Sequence, residues 1–369
     1  MSKGGRTMSD YTFHEKVVVK VQDAIDFEKN LYVAAGMREE DALVVADHLV
    51  TADARGVYSH GIQRNSIYLK RFREGGTDPK GVSRIIKEKK ATCLIDGGNS
   101  MGMVTGKFAM EKAISLAKEY GTSTVSVTGS NHFGTCAYYV QMAADQGMIG
   151  MMWTINCGNI MAPWGGTERQ LGNNPFGIGI PCKRHPTVIL DSATSVVARG
   201  KIVVAMKTHS PIPEGWALDK NGNPTTDAEE GYWGTVLPFG GYKGYGLTFT
   251  NACLAAILNN SAFGPSIVDF YEEPGKIQNN GYLFQVIDID SFDDVDAFEK
   301  RMDDAVDFIK GGKKADGVDE IFVPGEIEYN ARKKALSEGI VYPVEIVEES
   351  NGFAEDLGIT DRLIGEKEV

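Results

Sequence analysis

Positive charge is scarce in this sequence of 369 residues. Lysine and arginine together number 38 against 50 aspartates and glutamates, which gives a formal net charge of -12. Nucleic acids and anionic membranes reward an excess of Lys and Arg, so neither is expected as a partner. An anionic small molecule would therefore need a local group of cations to bind it.

Cysteines are also few, and they stand apart from one another. The five are Cys93, Cys136, Cys157, Cys182 and Cys253. No C-x-x-C pair occurs, which favours reduced thiols over disulfides or a thiolate zinc site, and no metal-binding residues are predicted. The sequence also lacks a stretch typical of a signal peptide or of a transmembrane helix. These features predict a cytoplasmic protein.

Two nucleotide-binding motifs are missing as well. The chain has neither the G-x-x-x-x-G-K-[ST] of a P-loop nor the G-x-G-x-x-G of the ordinary dinucleotide fold, so other segments must hold any dinucleotide. One glycine-rich segment, residues 238–247, precedes an apolar helical pattern. Backbone N–H groups at such a helix start suit phosphate or carboxylate, and Lys243 adds a positive charge. A flexible turn is the alternative interpretation.

The spacing of apolar residues divides the chain into regions. Residues 1–10 are polar and are predicted to be a disordered leader, and residues 11–75 follow a helical period. Short apolar runs separated by glycines then predict the strands of a buried sheet, at residues 91–95, 124–127, 148–155 and 187–190. Two helices packed on that sheet are predicted at residues 106–119 and 138–146. Later elements are predicted as helices at 247–258, 294–309 and 328–338 and a strand at 284–290.

The densest group of chemically useful side chains lies between Ser59 and Tyr68. Residues four apart share one face of a helix, so a helix from about Ser59 would project His60, Arg64 and Tyr68 from one side. Arg64 could then bind a carboxylate in bidentate fashion while His60 exchanges a proton with a neighbouring oxygen. A charged hydrogen bond of this type contributes about 1.5–3 kcal/mol, enough to orient a small acid. A solvated position on the helix surface is the alternative for Arg64.

His132 is the second candidate proton carrier. It follows a predicted strand within residues 129–134, and catalytic groups often lie in loops at strand ends. The small residues around it would let a ligand approach the backbone closely. His48 lies in a helical pattern and is predicted to be packed or capping, while His14 and His209 show no functional pattern.

Four segments carry a specific resemblance when they occur together in this order. They are Ser59-His60-Gly61 with Arg64, Ser130-Asn131-His132, Trp216-Ala217-Leu218-Asp219, and Lys243-Gly244-Tyr245-Gly246. With them, residues 11–345 resemble the type 2 malate/L-lactate dehydrogenase family of nicotinamide-dependent oxidoreductases. The resemblance implies an α/β protein with a non-Rossmann, mixed-sheet cofactor domain (91–246). It also implies a helical domain (11–90 with 247–369) that carries both termini, binds substrate and forms a homodimer with active sites near the subunit boundary.

The family's functional residues carry over by position. His132 and His60 compete for the role of proton carrier, because each matches the residue with that role in a different family member. We favour His132, since a glycine-flanked loop at a strand end can face the nicotinamide, and we assign His60 to orienting the substrate. Positions in the substrate pocket match Ser59, Arg64 and Tyr68. The expected cofactor-binding residues are Asp191, Ser192, Ala193, Thr194, Leu237, Pro238, Lys243, Pro324, Gly325 and Glu326.

The implied reaction is a reversible hydride transfer between NAD(P)H and C2 of a small 2-oxo or 2-hydroxy acid, with malate or L-lactate as the expected type. Ureidoglycolate dehydrogenase and imine or diketogulonate reductase are alternatives within the family, and a non-redox isomerase or lyase is one from another class. NAD is the expected cofactor and NADP the alternative. The basic segment Lys183-Arg184-His185 could meet a ribose 2′-phosphate, or it could be a solvated turn.

Overall fold

The computed structural model describes residues 15–367, so the predicted leader at residues 1–10 lies outside the described residues. The helices are α1 (Val21–Ala34), α2 (Glu39–Ala54), α3 (Asn65–Glu74), α4 (Gly102–Tyr120), α5 (Cys136–Ala144), α6 (Arg199–Lys207), α7 (Ala228–Trp233), α8 (Tyr242–Ala252), α9 (Val295–Lys310), α10 (Glu326–Glu338) and α11 (Val344–Asp356). The strands are β1 (Lys16–Val19), β2 (Arg84–Lys89), β3 (Thr92–Asp96), β4 (Thr122–Ser130), β5 (Met148–Thr154), β6 (Phe176–Ile180), β7 (Val188–Ser192), β8 (Ala217–Leu218), β9 (Pro224–Thr225), β10 (Thr235–Val236), β11 (Asn280–Asp288), β12 (Ile340–Pro343) and β13 (Glu366–Lys367). Within residues 15–367, no helix is long and apolar enough to cross a membrane.

Seven strands form the central sheet, in the order β2-β3-β4-β11-β5-β6-β7. Only β3 and β4 run parallel, and the other neighbouring pairs are antiparallel. Strand β11 can occupy the centre because it is apolar on both faces: Tyr282, Phe284 and Val286 are each 0% exposed, and Leu283, which points the opposite way, is 5% exposed. The predicted mixed α/β sheet is confirmed.

The predicted elements around this sheet are present with shifted ends. The four predicted strands correspond to β3, β4, β5 and β7, and the two predicted helices to α4 and α5. The sequence pattern does not predict β6, because glycines interrupt its apolar run. Those glycines let α5 pack closely on the strand. A Cβ added to Gly177 would lie 2.7 Å from the Cys136 Cβ, and a Cβ added to Gly179 would lie 2.7 Å from the Val140 carbonyl oxygen.

The helical part of the molecule is built around a second sheet, β12-β1-β13. This sheet joins the first and last described strands, and it packs with α1 and α2 on a core that includes Leu31, Leu49 and Tyr342. Both ends of the described chain therefore lie in the helical part, as expected. The predicted limits of the cofactor domain, residues 91–246, stay a prediction. Strand β11 lies outside these limits and yet belongs to the central sheet. Although it comes from residues 247–369, its two apolar faces place it in the central sheet.

The carboxyl groups of Glu28 and Asp53 are almost completely buried in the helical part. Glu28 on α1 is 0% exposed and accepts two hydrogen bonds from the Asn65 amide, at 2.9 and 2.8 Å. Asp53 on α2 is 2% exposed and accepts from the Ile62 backbone N–H at 3.0 Å and from the Tyr342 hydroxyl at 2.9 Å. Loss of hydration on burial raises the pKa of each carboxyl to about 8. Both groups therefore hold a proton near neutral pH.

We predict that each of these carboxyls destabilises the fold progressively as the pH rises from about 4.5 to 8. In that window the unfolded chain loses the two protons that folded Glu28 and Asp53 retain, so each disfavours folding by up to about 1.4 kcal/mol per pH unit. Urea unfolding across the window measures the effect. Relative to wild type, Glu28→Gln and Asp53→Asn should each lose less stability as the pH rises.

The matched control is Glu355→Gln, which replaces an exposed acid on α11 and should follow the wild-type pH dependence. If the stability curves of all four proteins ran parallel, the two buried carboxyls would be titrating at ordinary values and the prediction would be wrong.

Candidate active site

The segment around His60 does not form the predicted helix. Tyr58–His60 and Ile62–Arg64 are separate 3-10 turns, and α3 begins only at Asn65. Gly61 between the turns is extended, with φ -94° and ψ -154°, and an added Cβ there would lie 1.7 Å from an Asp53 oxygen. Asp53 also accepts the backbone N–H that follows Gly61. The prediction of a helix from residue 59 is therefore wrong, because the buried carboxyl draws the chain inward at a residue that has no side chain.

The predicted side chains nevertheless meet, and His132 joins them. The His60 and His132 rings stack with their centroids 5.8 Å apart and their planes at 25°. Tyr68 on α3 is buried, and its hydroxyl lies 2.7 Å from Nδ1 of His132. Nε of Arg64 donates to the Ser59 carbonyl at 2.6 Å. Both candidate proton carriers and the three predicted substrate-pocket residues thus share one site.

His132 lies on the loop between β4 and α5, at the predicted strand end. Its backbone N–H donates to the Gln278 side chain at 3.3 Å, and its ring packs on Phe270 with 5.3 Å between centroids. The contact with Tyr68 holds Nδ1, while Nε2 has no hydrogen-bond partner within residues 15–367. A ring that is held at one nitrogen and open at the other can exchange a proton with a bound ligand.

The charge of Arg64 is not balanced by an acid. Across residues 15–367 its guanidinium forms no ion pair, and it contacts the hydroxyl and ring of Tyr271. Burial and then the Arg64 charge lower the pKa of His60 to about 3. The pKa of His132 is also lowered well below its ordinary value, by burial first and then by Arg64 and His60. Two neutral imidazoles therefore lie beside a cation at pH 7.

This arrangement suits a small organic acid. The N–H groups of Arg64 that remain available can donate to a carboxylate. A neutral imidazole can accept a proton from a hydroxyl group, and its protonated form can return that proton. An anion bound at Arg64 would also raise the pKa of both histidines, because it offsets the positive charge that lowers them. Binding of an acid would therefore prepare the proton donor.

Three residues of the site lie where the sequence pattern gives no functional signal. Phe270 contacts the rings of His132 and Tyr68, and Tyr271 contacts Arg64. Gln278, which holds the backbone of His132, is 146 residues away along the chain. These three precede β11, and the insertion of β11 between β4 and β5 brings them to the site. A local sequence pattern carries no sign of that contact.

His48 binds the backbone of the loop that carries His132. It lies on α2 with 0% exposure, and its Nε2 accepts the backbone N–H of Thr135 at 2.9 Å, just before α5 begins. Burial lowers the pKa of His48 to about 3, so the ring is neutral. Gly134 has φ +84°, and a Cβ there would lie 2.1 Å from Nε2. The prediction that His48 is packed or capping is confirmed.

The predicted cofactor segments lie side by side along the β7 edge of the central sheet. The Ile189 N–H donates to the Pro324 carbonyl at 3.0 Å, which sets residues 324–326 beside β7. The Val196 N–H donates to the Leu237 carbonyl at 2.8 Å, which sets residues 237–238 beside the continuation of the same chain. The fold therefore brings together three segments that are far apart in sequence.

Individual side chains in these segments have different surroundings. The Asp191 carboxylate accepts the Ala137 N–H at 2.8 Å, in the first turn of α5, and so connects the β7 edge to the element that follows the His132 loop. The Glu326 carboxylate is largely buried and is already bound to Lys310. Lys243 is exposed in the first turn of α8 and, within residues 15–367, has no acidic partner. Of the three, Lys243 alone offers an unused charge.

The basic segment at residues 183–185 is paired with acids on α9. Lys183 lies 2.7 Å from Asp296, and Arg184 lies 2.6 Å from Asp307. His185 also contacts Asp307, at 2.7 Å. Of the two interpretations of this segment, the structure supports a surface turn, because its positive charges are already engaged.

A polar group beside the β7 edge fits the carboxamide of a nicotinamide. Oδ1 of Asn173 is buried and, within residues 15–367, has no hydrogen-bond partner. The Asn173 carbonyl accepts both the backbone N–H and the hydroxyl of Thr194, each at 2.8 Å, so the residue is fixed next to the cofactor segments. A buried acceptor without a donor is unfavourable unless a ligand or water supplies an N–H or O–H group. A carboxamide carries that donor.

The comparisons with known proteins agree with this geometry. A model of the malate/L-lactate dehydrogenase family matches residues 19–350. The chain belongs to this family of dehydrogenases, which confirms the resemblance drawn from the sequence. It is 38% identical over 332 residues to the malate dehydrogenase of Pyrococcus horikoshii, covering 88% of this chain and 91% of the relative. The structure of sulfolactate dehydrogenase from Methanocaldococcus jannaschii matches with a TM-score of 0.87 and 37% identity, over 93% of this chain and 98% of that one.

Two further relatives carry a cofactor in their names. The ureidoglycolate dehydrogenase (NAD(+)) of Escherichia coli K12 is 33% identical over 312 residues, covering 85% of this chain and 88% of the relative. The (2R)-3-sulfolactate dehydrogenase (NADP(+)) of Chromohalobacter salexigens is 34% identical over 261 residues, covering 71% and 78%. Relatives of this chain are thus named for either nicotinamide cofactor.

We predict that Arg64→Gln raises the pKa of His60 and of His132. The substitution removes a positive charge that disfavours a second one nearby, so each imidazole should titrate at a higher pH. The Cε1–H resonances of the two rings, followed by NMR from about pH 4 to 8, measure the shift. Arg73→Gln removes an exposed arginine from α3, the helix that follows Arg64, and should leave both titrations unchanged. If Arg64→Gln also left them unchanged, the guanidinium would have no electrostatic effect on the site.

Proposed function

We propose that this protein is an NAD(P)-dependent dehydrogenase that interconverts small 2-hydroxy and 2-oxo acids. One observation carries the proposal: Arg64, which has no acidic partner within residues 15–367, lies in one site with His132, a neutral imidazole with an open Nε2. Together they provide a binding group for the C1 carboxylate and a proton carrier for the adjacent C2 oxygen. Membership of a dehydrogenase family supports redox chemistry at that carbon.

In the oxidation direction, Arg64 binds the carboxylate and His132 exchanges the hydroxyl proton at Nε2, while its Nδ1 lies 2.7 Å from the Tyr68 hydroxyl. A bound nicotinamide supplies the acceptor or donor of the hydride at C2. In the reduction direction, protonated His132 gives its proton to the C2 oxygen, and the carboxylate at Arg64 favours that protonated form. General acid–base catalysis of this kind contributes about 10²–10⁴ in rate.

We assign the proton transfer to His132 and the orientation of the substrate to His60. Nδ1 of His132 is held by the buried Tyr68, whereas Nδ1 of His60 contacts the hydroxyl of the exposed Ser59, at 2.9 Å. His132 also follows a strand of the central sheet, whose β7 edge carries the expected cofactor segments. His60 stands on the helical side of the site. These differences favour His132 as the histidine that faces the nicotinamide.

We infer that the β7 edge holds the dinucleotide in a non-Rossmann manner. Residues 191–194, 237–238 and 324–326 offer backbone groups there, and exposed Lys243 offers a charge for the phosphates at the start of α8. NAD is the expected cofactor, with NADP as the alternative. The ion pairs between residues 183–185 and α9 support NAD, because they occupy the basic segment that could have met a 2′-phosphate.

We also propose a cytoplasmic homodimer with active sites near the subunit boundary. Tyr271, which contacts Arg64, is 54% exposed, as expected for a site residue that a second subunit covers. The region of α8 carries further apolar side chains that are each more than a third exposed, namely Phe249, Leu254, Ile257 and Leu258. Contiguous exposed apolar surface is typical of subunit interfaces. The unpaired cysteines fit a reducing compartment.

The proposed reaction predicts nicotinamide-linked turnover of 2-oxo acids. Initial rates on oxaloacetate, pyruvate, sulfopyruvate, diketogulonate and a cyclic imine, each with NADH and with NADPH, should show oxidation of the cofactor. We expect the highest kcat/KM with NADH and an acid of the malate or lactate type, because Arg64 is a cation suited to a carboxylate and has no acidic partner within residues 15–367. Turnover of a hydroxy acid with no change in nicotinamide absorbance would indicate an isomerase or lyase instead.

Replacement of each histidine by glutamine distinguishes their roles. Glutamine can form hydrogen bonds but cannot carry the proton, so His132→Gln should lower kcat by about 10²–10⁴-fold. His60→Gln should mainly raise KM for the acid. His209→Gln, at an exposed position, is the control and should match wild type. Near-normal turnover in His132→Gln together with loss of turnover in His60→Gln would reverse the assignment.

A further inference from the structure

We propose that helix α2 positions the two halves of the active site, with Asp53 fixing the turn that carries Arg64 and His48 fixing the loop that carries His132. Neither residue is expected to touch the substrate, and both act through backbone N–H groups. The inference rests on the proposed function and deepens it by naming positioning residues for the same reaction.

Asp53 fixes the substrate-binding turn at its centre. Its carboxyl oxygen accepts the Ile62 N–H at 3.0 Å, and the Tyr342 hydroxyl donates to the same oxygen at 2.9 Å. The chain passes so close that a Cβ at Gly61 would lie 1.7 Å from the carboxyl group. Gly61 and Ile62, the two backbone positions that Asp53 contacts, lie between His60 and Arg64 in the chain. Because Asp53 is buried, water cannot replace an acceptor that is lost there.

His48 fixes the opposite half of the site. Nε2 accepts the Thr135 N–H at 2.9 Å, three residues after His132, and the His48 ring stacks on Tyr138 with 4.3 Å between centroids. Because Nε2 is an acceptor, the ring proton lies on Nδ1, which is buried and has no partner within residues 15–367. Gly134 allows this approach, since a Cβ there would overlap the ring.

The two contacts are coupled by one rigid element. Asp53 and His48 are five residues apart on α2, and Leu49 and Val50 between them are each 0% exposed in the helical core. The separation between Arg64 and His132 therefore depends on where α2 holds the two backbone segments. Loss of one contact should release one half of the site and leave the other in place.

The test compares variants that delete each acceptor with variants that keep it. Asp53→Ala should raise KM for the preferred 2-oxo acid about tenfold or more with kcat within about threefold of wild type, because the turn that carries Arg64 is released. His48→Leu should lower kcat by about tenfold or more with KM within about threefold. Asp53→Asn and His48→Gln keep an acceptor near the same place and should restore most of each loss. Leu116→Ala, in the core on α4, is the control for a cavity outside α2: it should lower Tm and leave kcat and KM unchanged.

A second readout does not depend on activity. Hydrogen–deuterium exchange in peptides covering residues 55–66 should increase in Asp53→Ala only, and exchange in residues 130–137 should increase in His48→Leu only. Should Asp53→Ala fail to fold, Gly61→Ala displaces the same turn by overlapping the carboxyl group, and it should raise KM in the same way.

The results separate the two proposals. Absence of turnover by wild type with every acid and both cofactors would overturn the proposed function, while the exchange pattern would still test the positioning. Equal changes in kcat and KM in both deletion variants would overturn the positioning role of α2. The same conclusion would follow if Leu116→Ala reproduced either effect or if the acceptor-keeping variants failed to restore it.

Discussion

A guanidinium without a counter-ion is the feature on which the site depends. Arg64 makes its contacts with a carbonyl and a phenol, which orient it without cancelling its charge. Burial, together with that charge, lowers the pKa of both nearby imidazoles and keeps them neutral. An anion that enters supplies the missing charge and at the same time makes a protonated histidine more favourable. Affinity for an acid and readiness to transfer a proton therefore have one physical origin.

The buried acids of the helical part complement this arrangement. Asp53 binds the backbone two residues before Arg64, yet its raised pKa keeps it uncharged near neutral pH. A charged carboxylate there would compete with the substrate for the guanidinium. In its protonated form the same group supplies a hydrogen-bond acceptor and no negative charge. Glu28, which holds Asn65 at the start of α3, follows the same principle.

Local patterns predicted the parts of this molecule that local interactions determine. Short apolar runs separated by glycines located β3, β4 and β5, helical spacing located α4 and α5, and the four quoted segments indicated the family. The helix from residue 59 was wrong because Asp53, a tertiary contact, overrides helical spacing at Gly61. The contributions of Phe270, Tyr271 and Gln278 depend on β11 reaching the centre of the sheet, which no short pattern encodes. His60, Arg64, Tyr68 and His132 still converge, because the two 3-10 turns, α3 and the loop after β4 place them around one site.

The position of β11 also has a consequence for how the chain is made. Strands β4 and β5 are complete by residue 154, but the strand that pairs with both ends only at residue 288 of 369. During synthesis, the edges of β4 and β5 that pair with β11 therefore remain unpaired until more than a hundred further residues have been added. Such edges invite pairing with other chains. The same late insertion that completes the candidate active site leaves these two edges open to pairing with other chains until most of the protein has been synthesised.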